Sequence, residues 1–254
     1  MNRGRGRLIL VPNSLDLGTG CEVDLNEVLP RAVLARAAGL GHWIVEDAKT
    51  ARAFLKRIDR HVPLTHALQA LDMRELPRPR KGAPSTSPTV LEPLLAPAMS
   101  GHDIGLLSEA GLPAVADPGA SLVLAAQDLG IEVVPLPGPS SLMLALAASG
   151  LNGQSFAFVG YLPIEPAARA VRIRELELVS RRLTQTQLAI ETPYRNGSLF
   201  GALVEHLQPT TRLGVASGLT LPGGTCTTLS VRAWRDRLPA LSDRIPTVFS
   251  WLAD

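Results

Sequence analysis

The chain has 254 residues, 27.0 kDa, with 46% hydrophobic and 19% charged side chains, a balance that excludes a disordered chain and supplies enough apolar surface for one large or two smaller cores. Twenty-five basic and 23 acidic residues leave a formal charge of +2, so no global positive field imposes a nucleic-acid partner, although local basic patches stay open. Cys21 and Cys226 stand far apart without a CxxC, which excludes a disulfide framework and a cysteine-built metal site; no apolar run approaches the ~20 residues of a membrane span, and the expectation is a soluble, cytoplasmic protein with no membrane partner.

Residues 7–12 (RLILVP) predict a buried first strand. Asp24 precedes apolar residues at helical spacing up to Gly39, with Pro30 weakening or delaying that helix. His42–Asp47 predicts a second strand and Lys49–Ile58 a helix. The stretch 72–88 is rich in Pro, Arg, Gly and Ser and is expected to be a mobile loop covering an acceptor. A helix over 89–99, a strand at Asp103–Leu107, a helix over 119–130, a strand at Glu132–Leu136 and a helix at Ser140–Ser149 complete an alternating first half. The pattern restarts after Gly153 with a strand at Phe156–Tyr161 and an arginine-rich helix over 165–183. Further strands are expected at Leu188–Glu191, Arg212–Ser217, Cys226–Trp234 and Thr247–Leu252, with a helix over 195–207. Two α/β domains follow, 1–152 and 153–254.

The strand-to-helix junctions carry the chemistry. Ser108–Pro113 follows a strand, and Asp117-Pro118-Gly119 has the residues of a helix cap and first turn. Gly138-Pro139 and Thr192-Pro193 follow two further strands. In open α/β sheets ligands sit outside the carboxyl ends of the strands, and Gly lets backbone approach a ligand closely. No GxxxxGK[ST], GxSxG or HExxH is present, and Gly4-Arg5-Gly6 precedes the first strand rather than following it. The histidines at 42, 61, 66, 102 and 206 show no ligand spacing, so no metal is expected.

The runs LILVPNSLD (8–16), WIVEDAKTARAFL (43–55), GLLSEAGLPAVADPG (105–119), VVPLPGPSSLMLALAASGL (133–151), FVGYLP (158–163) and ETPYR (191–195) resemble the tetrapyrrole methylase superfamily of S-adenosylmethionine-dependent methyltransferases. The resemblance runs from about Arg7 to Asp254 and is closest to the branch holding the small-subunit ribosomal RNA cytidine 2′-O-methyltransferase. It implies two α/β domains with the methyl donor in the cleft between them, in a homodimer. It implies donor contacts at Pro12, Ser108, Glu109, Ala110, Gly111, Pro113, Asp117, Pro137, Gly138, Ser140 and Ser141, and from the second domain at Thr192, Ala216, Ser217, Pro246, Thr247 and Val248. The chain departs from the RNA enzymes at Asn13-Ser14, where they carry Gly-Asn shortly after Pro-Thr-Pro, at Ala48-Lys49, where they have Thr-Arg, and at Glu109, where they have Asp. Their Arg-Glu-Leu-Thr-Lys segment is here Ala216–Thr220. Donor marks persist while acceptor marks change, as in a sister group.

Methyl transfer from a sulfonium needs mainly proximity and alignment, and a hydroxyl or amide acceptor can need a base. Glu46 and Asp47 are the expected acceptor-side carboxylates, against solvated or strand-ending roles for either. Arg195 and the arginines of 169–182 offer anion binding, or a solvated face. The acceptor stays open between RNA, a tetrapyrrole and another small molecule, and a donor-binding protein without catalysis is the alternative of a different class.

Overall fold

The computed structural model describes residues 4–77 and 88–254. Two compact units divide the chain. The first comprises the chain up to Leu17 together with Glu22–Pro139, the second Gly18–Cys21 and Ser140–Asp254.

In the first unit five parallel strands lie in the order β3-β2-β4-β1-β5: β1 (Leu8–Leu10), β2 (His42–Val45), β3 (Asp72–Glu75), β4 (Ile104–Leu107) and β5 (Val133–Pro135). Successive side chains of a strand face opposite ways. Ile9, Trp43, Val45 and Leu107 therefore pack under the helices α1 (Leu25–Val28), α2 (Arg31–Ala38) and α3 (Ala48–Asp59). Leu8, Ile44, Ile104 and Leu106 pack on the opposite face under α4 (Pro88–Leu91), α5 (Ala96–Met99) and α6 (Ala120–Asp128).

Proline explains two departures from the predicted elements. Without an N–H, Pro30 cannot continue a helix. The helix after Asp24 is thus split into α1 and α2, with Leu29 extended between them. The helix expected over 89–99 is α4, a 3₁₀ stretch at Glu92–Leu95 and α5, interrupted at Pro93 and Pro97. Part of the loop expected over 72–88 is a strand: β3 pairs with β2 from His42–Asp72 to Val45–Glu75. It is an edge strand held by its ladder rather than by buried side chains, so composition concealed it. Residues 78–87 of that expected loop lie outside the described residues.

The second unit holds a mixed sheet in the order β6-β7-β10-β8-β9: β6 (Phe156–Gly160), β7 (Thr186–Ile190), β8 (Arg212–Ser217), β9 (Thr225–Ser230) and β10 (Thr247–Leu252). β6 and β7 are parallel and the other ladders antiparallel. One face packs Leu188, Ala216 and Val248 under α7 (Ser141–Ser149). The other packs Ala189, Val215, Phe249 and Trp251 under α8 (Pro166–Leu183), α9 (Asn196–His206) and α10 (Val231–Arg235). α7 covers this second sheet, and Ser140 opens the longer segment of the second unit. The strand expected over Cys226–Trp234 ends at Ser230, whose hydroxyl accepts from the Ala233 N–H at 3.2 Å and starts α10.

Candidate functional site

The chain leaves β1 toward the face covered by α1–α3, whereas it leaves the adjacent β4 toward α6 on the other face. Loops that part in opposite directions from neighbouring parallel strands open a crevice at the carboxyl edge of the sheet. Pro12–Asp16 and Ser108–Pro113 stand at that point.

These loops are tied to each other by Asn13, a residue that the sequence marks only as a departure. Its N–H donates to the Gly111 carbonyl at 2.9 Å, and its Nδ2 donates to the Ser108 and Glu109 carbonyls at 3.1 and 3.0 Å. Its Oδ1 accepts from the Ser14 N–H at 2.8 Å. Asn13 is 5% exposed, so its side chain exchanges water for a full set of protein partners. The loop after β5 joins them by close approach: a Cβ on Gly138 would lie 2.3 Å from Pro12 Cβ, which side chains do not tolerate.

Behind Asn13, Asp16 is buried and paired with Arg57 of α3, Arg57 Nη2 lying 2.8 Å from Asp16 Oδ2. Ser14 Oγ donates to Asp16 Oδ1 at 2.6 Å, Val23 N–H donates to Oδ2, and Arg57 also reaches the Val23 carbonyl. Burial would raise the Asp16 pKa, but the bonds from Arg57, Ser14 and Val23 outweigh it and hold the carboxyl below its ordinary value. None of Asn13, Ser14, Asp16 and Arg57 was a predicted site residue. Arg57 lies 41 residues from Asp16, a pairing without local signal.

In the loop after β4 the backbone is unusual. Gly111 has φ +66°, and Ala114 and Ala116 have φ +66° and +63°. Residues with a Cβ enter this region rarely, and neighbouring structure must hold them there. Asp117 does not cap α6, contrary to the sequence expectation; Gly119, at φ +132°, takes the cap position. The Ser108 hydroxyl donates to the Ala110 carbonyl at 3.2 Å, and Asp117 lies near Ser108, Glu46 and Glu109. Burial first, then the negative charge of Glu46 and that of Glu109, raise its pKa to about 6, with the Ser108 bond opposing. Glu46 Oε2 accepts from the Glu109 N–H at 3.2 Å. Asp47 caps α3, accepting from the Thr50 N–H at 2.8 Å.

Sequence-predicted strand residues of the second unit also lie side by side. β10 is antiparallel to β7 and β8, with Thr247 opposite Ser217 and Val248 opposite both Ala216 and Ile190. The start of β10, which Pro246 precedes, thus lies beside the ends of β7 and β8, and Thr192 follows β7. Thr247 Oγ1 donates to Ser217 Oγ at 3.1 Å and accepts from Asn196 Nδ2 at 3.1 Å. Glu191 is buried, and its Oε1 takes the Thr192 N–H, the Thr192 hydroxyl and Arg195 Nη2 at 2.7, 3.2 and 2.8 Å. Arg195 is therefore paired rather than a free anion receptor. Ser140 holds the cap position of α7 without a side-chain bond to the helix, and Ser141 opens its first turn.

The sequence pattern of the tetrapyrrole (corrin/porphyrin) methylases matches residues 34–232. The chain belongs to this family. Within it, the chain is similar to ribosomal RNA small subunit methyltransferase I of Mesorhizobium japonicum, 38% identical over 147 residues that make up 58% of this chain and 49% of that protein. The chain thus spans about half the length of the curated relative it matches. Its fold is that of two solved tetrapyrrole-methylase relatives. The methyltransferase CobJ superposes with a TM-score of 0.58 at 17% identity, covering 98% of this chain and 94% of the other. Uroporphyrin-III C-methyl transferase from Thermus thermophilus, complexed with S-adenyl homocysteine, superposes with a TM-score of 0.52 at 16% identity, covering 97% of each. In this tetrapyrrole methylase the Gly/Pro turns of the first sheet follow β4 and β5, and Thr192-Pro193 follows β7.

The carboxylate group at the edge of the first sheet has a measurable signature. The folded-state pKa of Asp117 is raised, so the folded protein holds an extra proton between about 4 and 6. Stability falls as pH rises through that window, and Asp117→Asn removes this component. Carbon-detected NMR titration is expected to show an Asp117 midpoint near 6 that drops in Glu46→Gln; a wild-type midpoint near 4 contradicts the clustering.

Proposed function

We propose that this chain is an S-adenosylmethionine-dependent methyltransferase with an RNA acceptor. The observation that carries the donor reading is the knitted crevice at the carboxyl edge of the first sheet, with Glu46, Glu109 and Asp117 grouped beside it. Its chemistry suits a cation: S-adenosylmethionine carries a sulfonium, and a nearby positive charge lowers the cost of ionising Asp117. Pro12, the loop Ser108–Pro113, Asp117, Pro137 and Gly138 are the donor contacts proposed in this unit. Ser140, Ser141, Thr192, Ala216, Ser217 and Pro246–Val248 are those proposed in the second. The name of the Mesorhizobium japonicum relative supports RNA as acceptor, and the S-adenyl homocysteine of the Thermus thermophilus enzyme supports the donor.

When bound, the donor supplies an electrophilic methyl group with its own leaving group. The chain's part is to hold the reactants in line and to keep water from the sulfonium. Where the acceptor is a ribose hydroxyl, a carboxylate takes its proton. Asp117, with a pKa near neutrality, and Glu46 are better placed for that role than Asp47, whose carboxylate caps α3.

The protein is further proposed to act in the cytoplasm as a homodimer. No helix among the described residues is long and apolar enough to cross a membrane. The edge strand β6 presents Phe156 and Phe158, 40% and 37% exposed, an apolar surface suited to a second copy. Light scattering is expected to give twice the 27.0 kDa chain mass, falling to a single chain in Phe158→Asp; a wild-type monomer at micromolar concentration overturns the dimer.

Transfer of a labelled methyl group, assayed separately on ribosomal RNA, protein and small-molecule extracts, tests the activity. Label in RNA is the expected result. Label in small molecules alone moves the acceptor to that class, and no label in any fraction leaves donor binding without catalysis.

A further inference from the structure

The opposite end of the first sheet carries a feature that the methyl-transfer reading does not use. A groove of about 930 Å³ opens at the amino ends of β1, β2 and β4, lined by Arg5, Arg7 and Arg36, by His42, His66 and His102, and by bare glycine backbone. Its facing carboxylates are Asp103 and Glu132. Small-molecule pockets are mostly apolar; among the described residues the apolar side chains at this wall are Ala35 and Leu40 alone.

The charges do not cancel. Asp103 accepts from the Arg7 backbone N–H, from Arg7 Nε and Nη2, and from Arg36 Nη2 at 2.8, 3.2, 2.9 and 2.7 Å. One carboxylate thus orients two guanidinium groups, each of which keeps its Nη1 for another acceptor. Arg5 donates to the Leu129 carbonyl, which fixes the side chain without neutralising it. Three arginines face two carboxylates, leaving a positive surplus before any histidine is protonated. The side chains of Arg7 and Arg36 are 40% and 36% exposed, so they are held in place yet reachable. Oriented, half-exposed guanidinium groups around a wide polar groove match a chain of phosphates, to which arginine donates in pairs.

We propose that this groove binds the phosphodiester backbone of an RNA strand. It is a docking surface separate from the carboxyl-edge crevice, on the far side of the same strands. It holds RNA by charge and shape without reading bases, and so acts as a second anchor rather than as part of the reacting site.

Fluorescence anisotropy of the whole chain with a labelled 12-nucleotide single-stranded RNA, across a salt series, tests this. The same sequence as DNA and a poly-glutamate peptide serve as competitors. The expected result is salt-dependent RNA binding that falls about tenfold in the Arg5→Gln, Arg36→Gln double variant, with the log–log salt slope reduced by about 1 to 2. Arg36→Lys is expected to restore part of the affinity, and Arg237→Gln, at an exposed position of the second unit, to change nothing. Competition by DNA as strong as by RNA fits the phosphate contact and removes any preference for RNA. RNA binding that is unchanged in the double variant overturns the proposal. So does equal competition by poly-glutamate, which assigns the groove to an acidic protein. Calorimetry with S-adenosylmethionine on the same variant keeps the two readings apart, since donor binding is expected to be unaffected.

Discussion

The carboxyl edge of the first sheet depends on one buried amide. Asn13 sits directly after β1 and spends its N–H, both ends of its side chain and its position on partners in its own loop and in the loop after β4. A buried polar group without partners costs about 1–3 kcal/mol, so this arrangement is stable only when the two loops keep their relative register. The strained backbone at Ala114 and Ala116 is then held by its surroundings. The Asp16–Arg57 pair extends the same constraint to α3, because a buried charge that loses its partner is destabilising by several kcal/mol. The crevice is in this sense built from the inside outward: ion pair, amide, loop, and last the surface proposed to hold the donor.

Charge is sorted along the strands of this unit. Carboxylates gather at their carboxyl ends, where Asp117 is pushed toward neutrality by burial and by Glu46. Arginines gather at their amino ends, where Asp103 orients two of them. A net charge of +2 conceals this separation. The whole-chain figure argues neither for nor against an anionic partner, whereas the two ends of one sheet favour ligands of opposite sign.

Alternation of apolar runs and helical spacing made the two α/β halves legible, because the parallel strands of the first unit are buried on both faces and read as continuous apolar segments. What the sequence concealed was of three kinds. β3 carries DMRE and earns its place by backbone pairing at an edge, so its composition reads as loop. Asp117 has the right residue type for a helix cap, but Gly119 takes that role and frees the carboxylate for the crevice. α7 belongs with the second sheet because of what it packs against, which no local pattern records. At the proposed site, the turns Ser108–Pro113 and Pro137–Pro139 stand out through their Gly and Pro, whereas Thr192, Ala216, Ser217 and Thr247 are proposed on family resemblance alone. Asn13, Asp16 and Arg57 do not stand out, since their function is in contacts made across 41 to 96 residues.

The central claim is that the loops tied by Asn13 form the surface that holds the methyl donor. Isothermal titration calorimetry with S-adenosylmethionine on the wild-type chain and on Asn13→Ala, each first shown to be folded by circular dichroism, tests it most directly. The account predicts one donor per chain for the wild type and an affinity at least about tenfold weaker for the variant, equivalent to roughly 1.4 kcal/mol. Equal affinities in the two proteins, or no heat from the wild type at high micromolar donor, contradict it.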